Sequence, residues 1–307
     1  MPSHEPTQII LDTDIGTDVD DAVALALILC SPELELAGVT CVYGDVTLRA
    51  RMVLKLLALR GVSNVPVMTG ARQPLLGLRP VYWAGHEGKG LLEPEDEALE
   101  PAPEHAVDFI VRKALEAPGR IHLVAIGPLT NVALAFLREP RLAQALAHLT
   151  IMGGSVRGPG AFHLPYAEHN IRCDPEAAHV VFSSGVPITM VPLDVTTQVT
   201  IRPEGVARIR AGGTAFHEAI ARQVELYPPF AARGYTHMHD PLAVATLIER
   251  DLVRLEPLHV DVEREGHHAA GATLVRAPSP EAPANAEVAL QVNARRFEEF
   301  LVERIAR

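Results

Sequence analysis

The sequence predicts an α/β protein with an open, mainly parallel sheet and helices on both faces. Three observations predict it. Short apolar runs alternate with longer helix-like runs along most of the chain. The strand-like runs are mainly apolar, as strands covered on both faces are. The 307 residues, 48% of them hydrophobic, are enough to enclose a core of that size.

The elements follow in order. Gln8–Leu11 reads as a strand and Asp20–Cys30 as a helix. Leu36–Val42 is a strand, Thr47–Arg60 a helix and Val65–Met68 a short strand. Glu104–Glu116 is amphipathic, with Ala106, Phe109, Ile110 and Leu115 roughly on one face. Ile121–Ile126 is a strand, and Asn131–Leu137 begins a helix. Strand Leu149–Met152, helix Pro175–Phe182 and strand Ile188–Val191 continue the alternation. The tail adds strands at Leu258–Val262, Ala272–Arg276 and Glu287–Val292, then a closing helix at Arg295–Ile305. Residues 1–307 are read as one domain. It carries a loop insertion near 76–103, rich in Gly, Pro and Glu, and a helical insertion near 202–233.

Composition excludes several classes. A net charge of -11 leaves no basic stripe for a nucleic-acid backbone. The longest clean apolar run, Ala22 to Cys30, is too short to span a bilayer. Cys30, Cys41 and Cys173 are odd in number and widely spaced, which points to a reducing compartment. The polar start, with Glu5, does not read as a signal peptide. A cytoplasmic protein is expected, with no nucleic-acid or membrane partner.

Polar clusters follow directly on the apolar strands. Ile9-Ile10-Leu11 runs into Asp12 and Asp14, Val39-Thr40-Cys41-Val42 into Gly44-Asp45, and Leu123-Val124-Ala125-Ile126 into Gly127-Pro128-Leu129-Thr130-Asn131. In an open parallel sheet these strand ends lie along one rim, where ligands bind. The densest cluster places Asp12, Asp14, Asp18, Asp20 and Asp21 within ten positions. Capping of the following helix explains one or two of them. A divalent cation accounts for the rest. Oxygen donors without a Cys or tight His pair favour calcium or magnesium over zinc. Calcium takes roughly 6–8 oxygens, so further ligands are needed. Asp240, in His239-Asp240-Pro241 ahead of an apolar helix Leu242–Ile248, and the Thr130 carbonyl are candidates.

Four motifs then occur in order: the aspartate cluster; Gly127-Pro128-Leu129-Thr130-Asn131; Met152-Gly153-Gly154 with Ala167-Glu168-His169-Asn170-Ile171 and Asp174-Pro175-Glu176; and His239-Asp240-Pro241-Leu242-Ala243-Val244. Over nearly the whole chain they resemble the inosine–uridine-preferring nucleoside hydrolase family. The resemblance implies a Rossmann-like nucleoside hydrolase fold that hydrolyses the N-glycosidic bond of ribonucleosides to free base and ribose. It implies Ca2+ as cofactor, held by Asp14, Asp21, the Thr130 carbonyl and Asp240. Asp20 matches the base that activates a calcium-bound water, with an oxocarbenium-like transition state. Glu168 and Asn170 match residues that hold the ribose. His239 matches the acid at the leaving base, and His86 in the loop is a second candidate. A homodimer or homotetramer is implied in the same way.

The chain also departs from the family pattern. Ile15 replaces a common proline, and two extra residues precede Asp20-Asp21. Aligning that pair on Ala22 and the helix makes Asp20 the base; the other register would make it Asp18. Asp45 stands where many members have asparagine. Phe162 falls where many place an asparagine near the ribose 5′ end, and His169 replaces a common phenylalanine. These three positions are expected to touch substrate, and they leave the 5′ group and the base preference open. Two rival readings remain. Asp12-x-Asp14-x-x-Thr17 superficially resembles the first motif of haloacid dehalogenase-type phosphatases. A non-catalytic ribose- or nucleoside-binding protein could keep the same pocket.

Overall fold

The computed structural model describes residues 5–157 and 161–307. Its strands, in chain order, are β1 (Thr7–Thr13), β2 (Leu34–Cys41), β3 (Val67–Thr69), β4 (Ile121–Ala125), β5 (His148–Met152), β6 (Ile188–Val191), β7 (Thr200–Ile201), β8 (Thr236–His237), β9 (Val253–Val262), β10 (Thr273–Arg276) and β11 (Ala286–Val292). Nine of them form one sheet in the order β10-β9-β11-β6-β5-β4-β1-β2-β3. Every pairing is parallel except those of β9, which runs antiparallel to both β10 and β11. The expected mainly parallel α/β sheet is therefore present. Strands β7 and β8 form a separate antiparallel pair.

The sheet divides two apolar cores, and the pleat decides which residue enters which. Ile9 and Leu11 of β1 point into one core and Ile10 into the other. The helix Asp20–Leu29 is apolar all round and buried at every position but its last, so it lies inside the first core rather than on its surface. Val46–Leu59, Ala215–Leu226, His239–Ala245 and Ala294–Ile305 pack with it. Ala106–Glu116, Thr130–Arg138 and Pro175–Phe182 cover the opposite face.

Two boundaries shift from the sequence expectation for reasons visible in the structure. Strand β9 starts at Val253, five residues before Leu258, and carries Pro257 mid-strand opposite Glu287. The proline lacks a donor, which hides the strand from pattern reading. The helix expected from Leu242 starts at His239, with Pro241 in its first turn, where the missing N–H costs nothing. Within 76–103 the regular structure is a 3₁₀ turn at Pro94–Ala98, and 202–233 folds as helices Pro203–Arg210, Ala215–Leu226 and Pro228–Arg233.

Strand β1 lies at the topological switch point. From β1 the chain moves outward to β2 and β3, then returns to add β4 on the other side. The crevice at the carboxyl ends of β1 and β4 is where such sheets bind ligands. Gly127, two residues past β4, makes the crevice tight. A Cβ there would sit 2.8 Å from Asp14 Oδ1 and 2.9 Å from the Asp14 nitrogen.

Candidate active site

A cavity of about 750 Å³ opens at this rim. Its floor carries Asp14, Asp20, Asp21 and Asp240; one wall carries Glu168, His169, Asn170 and Tyr82; the other carries Asp18, His86, Tyr227 and His239.

Each floor carboxylate arrives by a short local device. Asp14 follows the last residue of β1, and Gly16 turns the chain at φ +112°, a left-handed conformation suited to glycine. Asp20 and Asp21 stand in the first turn of their helix, whose N-cap is Val19 with no side-chain cap bond. Asp240 stands in the first turn of His239–Ala245, whose N-cap Met238 likewise has none. None of the three caps its own helix. Asp20 Oδ2 accepts the Asp240 N–H at 3.0 Å, and Asp21 Oδ1 accepts the Thr13 hydroxyl at 2.5 Å.

The electrostatics follow from burial. Asp14, Asp20, Asp21 and Asp240 are all at least 95% buried, and desolvation is the largest force raising each carboxyl above the ordinary aspartate range. Neighbouring carboxylates add to the rise: Asp18 and Asp21 act on Asp20, and Asp20 and Asp21 on Asp240. Among the described residues none of the four forms an ion pair with Lys, Arg or His. Asp20, Asp21 and Asp240 each present an oxygen within 4.8 Å of the others'. A buried, all-oxygen cluster without an ion-pair partner fits a hard divalent cation.

The walls are built from strand-end loops. Glu168 caps helix His169–Cys173, accepting N–H groups from Asn170 at 2.8 Å, Gly154 at 3.0 Å and Ile171 at 3.1 Å. Burial still raises its carboxyl. Asn170 donates to the Ile126 and Met152 carbonyls at 2.8 and 3.1 Å, which fixes it at the ends of β4 and β5. His169 meets the rings of Tyr82 and Tyr43 edge-on at 5.9 and 6.5 Å. Opposite, His239 is half-buried beside Thr196 (Nδ1 to Oγ1 2.7 Å), and desolvation pushes its imidazole down to about 4. His86 lies 3.0 Å from the Thr17 carbonyl and edge-on to Tyr227 at 5.9 Å. Tyr227 donates to Asp18 Oδ2 at 2.8 Å.

Two candidates, Asp45 and Phe162, lie outside the cavity lining. Asp45 is exposed, does not line the cavity and caps helix Val46–Leu59 through Thr47 and Leu48 N–H, both at 3.1 Å. Phe162 is 91% exposed and also outside the lining. Thr130 is buried, and its hydroxyl turns to Asp174 at 2.7 Å. Asp12 is fully buried in β1, and its Oδ1 accepts from Thr40 at 2.5 Å and Asn131 at 2.8 Å. Enclosed in this way, it cannot attack an external phosphorus, so the phosphatase reading fails. Sequence reasoning missed Tyr227, Arg49 and Glu87. Tyr227 follows one insertion helix without a motif. Arg49 and Glu87 look like surface charges on a helix and a loop.

The chain matches the profile of the inosine-uridine preferring nucleoside hydrolase family over residues 9–299. It belongs to that family. It is 36% identical over 309 residues to the pyrimidine-specific ribonucleoside hydrolase RihA of Photobacterium profundum, covering 97% of this chain and 98% of that one. It is 38% identical over 305 residues to the non-specific ribonucleoside hydrolase RihC of Salmonella agona, covering 96% of each. Among solved structures it is similar to a plant nucleoside hydrolase, the PpNRh1 enzyme, at TM-score 0.88 and 29% identity over 98% of this chain and 99% of that one. A purine-preferring ribonucleoside hydrolase from Gardnerella vaginalis gives TM-score 0.86 and 30% identity over 97% and 98%. As a family member, the protein is a hydrolase of ribonucleoside N-glycosyl bonds, and a nucleoside is its small-molecule partner.

Proposed function

We propose that the protein cleaves ribonucleosides with calcium as its ion and Asp20 as the base that takes a proton from the attacking water. The convergence of Asp20, Asp21 and Asp240 within 4.8 Å, in the same cavity as Asp14, Glu168 and Asn170, carries this reading. Asp14, Asp21, Asp240 and the Thr130 carbonyl would hold the ion. When bound, calcium supplies a Lewis acid that acidifies water and orients the ribose diol.

The remaining work belongs to the side chains. Asp20 faces the cavity beside Asp21 and Asp240, where a carboxylate can take a proton from a bound water. The carboxylate floor favours the positive charge that develops on the sugar as the bond to the base breaks. Glu168 and Asn170 are locked by backbone bonds and set the sugar's position from one wall. That leaves the wall of His239, His86 and Tyr227 for the base. With its pKa near 4, His239 meets the base as a neutral imidazole, able to donate one N–H to the departing nitrogen.

A homodimer or homotetramer belongs to the same proposal and rests on the resemblance alone. A cytoplasmic location rests on the odd count of cysteines, all three of them free of disulfides. The relatives' names span pyrimidine-specific, non-specific and purine-preferring enzymes. The deciding experiment is therefore a panel of purine, pyrimidine and 5′-modified ribosides, read by reducing-sugar release with calcium and with chelator. Calcium-dependent release is expected. Full activity in chelator would remove the ion from the reaction, and saturable binding without turnover would make the protein a binder.

A further inference from the structure

The two residues added before Asp20-Asp21 pose a geometric problem. A longer loop between Asp14 and Asp20 would let the two halves of the carboxylate floor drift apart. The structure shows how the loop is held. Arg49, on helix Val46–Leu59, is completely buried. Its Nη1 donates to the carbonyls of Asp14 and of Ile15, the latter at 2.8 Å. Its Nη2 donates to Thr17 Oγ1 at 3.0 Å, and its Nε to the Tyr43 carbonyl at 2.7 Å. The indole of Trp83 lies 5.0 Å from the guanidinium. One turn along the same helix, Met52 packs so closely that a Cβ on Gly16 would meet its Sδ at 2.8 Å.

A buried guanidinium ordinarily pairs with a carboxylate. Among the described residues Arg49 forms no ion pair, although a floor of buried aspartates lies close by. Its fork instead grips two successive carbonyls just before Gly16 and the Thr17 hydroxyl just after it. A divalent ion offsets two of the four floor charges, and Arg49, from behind the loop, offsets a third. The grip also extends outward. Thr17 Oγ1 donates to Glu87 Oε1 at 3.3 Å, and Glu87 accepts the Ala84 and Gly85 N–H groups at 2.7 and 2.6 Å. The turn that carries His86 is thus tied to the same point.

We propose that Arg49 is a positioning residue that sets the spacing of Asp14 against Asp20, Asp21 and Asp240, and so the site's affinity for its divalent ion. The proposal rests on the metal-dependent reading above. Lysine would keep the charge but lose the fork.

The test is calorimetric titration of metal-stripped parent, R49K, R49M and T17V with calcium alone, beside ribose release by each. Both Arg49 variants are expected to bind calcium about tenfold or more weakly, because buried charge-assisted bonds are lost. T17V, which loses one acceptor, is expected to weaken it by about two- to fivefold. A merely structural role would lower the melting temperature and leave the affinity of folded protein unchanged. R49K with parent-like circular dichroism and parent-like calcium affinity overturns the proposal. If neither Arg49 variant folds, unchanged affinity in T17V overturns it instead. A parent that binds calcium but releases no ribose would sink the catalytic reading while leaving the affinity comparison intact.

Discussion

Replacing Asp240 by asparagine should make the protein more stable without metal and less stable with it. Asp240 presents an oxygen within 4.8 Å of oxygens on both Asp20 and Asp21. Two unit charges at that distance repel by about 3.5 kcal/mol at an effective dielectric near 20. Two such pairs would cost about 7 kcal/mol if all three groups were ionised. Proton uptake relieves most of this, since burial and mutual repulsion already hold all three carboxyls above their ordinary range. A net gain of about 1–3 kcal/mol for Asp240→Asn in chelator is therefore expected. For a chain of this size that raises the melting temperature by about 1.5–5 °C. The Asp240 N–H that donates to the Asp20 carboxylate is a main-chain group and survives the change. In calcium the ranking reverses. Saturating ion stabilises the parent by about 4 kcal/mol at a thousandfold excess over Kd, and the variant loses most of that. Differential scanning calorimetry in EDTA and in calcium measures both effects. Equal destabilisation in the two buffers would show Asp240 to be a structural residue rather than a ligand.

Asp20→Asn should keep the calcium-dependent rise in melting temperature and lower kcat by about 10²–10⁴-fold; near-normal turnover would move the base to Asp18. His239→Ala should lower kcat by unequal factors for inosine, uridine and cytidine, and one common factor would take it away from the leaving base. The gap in melting temperature between calcium and EDTA should close as pH falls from about 7.5 to about 5. The floor aspartates have folded pKa values above the ordinary 3.8, so the metal-free native chain binds more protons than the unfolded chain and gains stability as pH falls toward that value. The calcium form needs the same groups ionised and loses its ion in acid. The gap is the proper readout, because half-buried His122 and His239, both down to about 4, cost stability in either buffer below about pH 6.5. A gap that stays constant with pH would contradict the carboxylate assignment.

The fold was legible wherever one element could be read from its own residues. The apolar run Ala22–Ile28 marked a buried helix, and the mainly apolar strands β4 and β6 marked a covered sheet. Legibility failed where neighbours decide. Strand β9 contains Pro257 and charged Arg254 and Glu256, and it exists because β10 and β11 flank it. The short pair β7–β8 has two residues a side, too few for any periodicity. In the site, chemistry was legible where residue types cluster, as in Asp14 to Asp21, and at Asp240 through its motif. Asp45 shows the limit. Its place after a strand-end glycine suggested substrate contact, yet the helix that follows takes its carboxylate as a cap. Tyr227 and Arg49 could not be found in advance, because each matters through a partner distant in sequence: Asp18 for one, the Asp14 and Ile15 carbonyls for the other.

The bond from the Asp240 N–H to the Asp20 carboxylate joins residues 220 positions apart. While the chain is being made, the first 230 residues can leave the ribosome with only part of the floor in place. Loop-closure entropy disfavours contacts of that span until the intervening sheet has formed. The complete carboxylate set is thus a late product of folding, and a truncated or half-folded chain presents an unfinished one. Ion capture would then report that both ends of the chain have met, and the affinity of the site for metal doubles as a check on the finished topology.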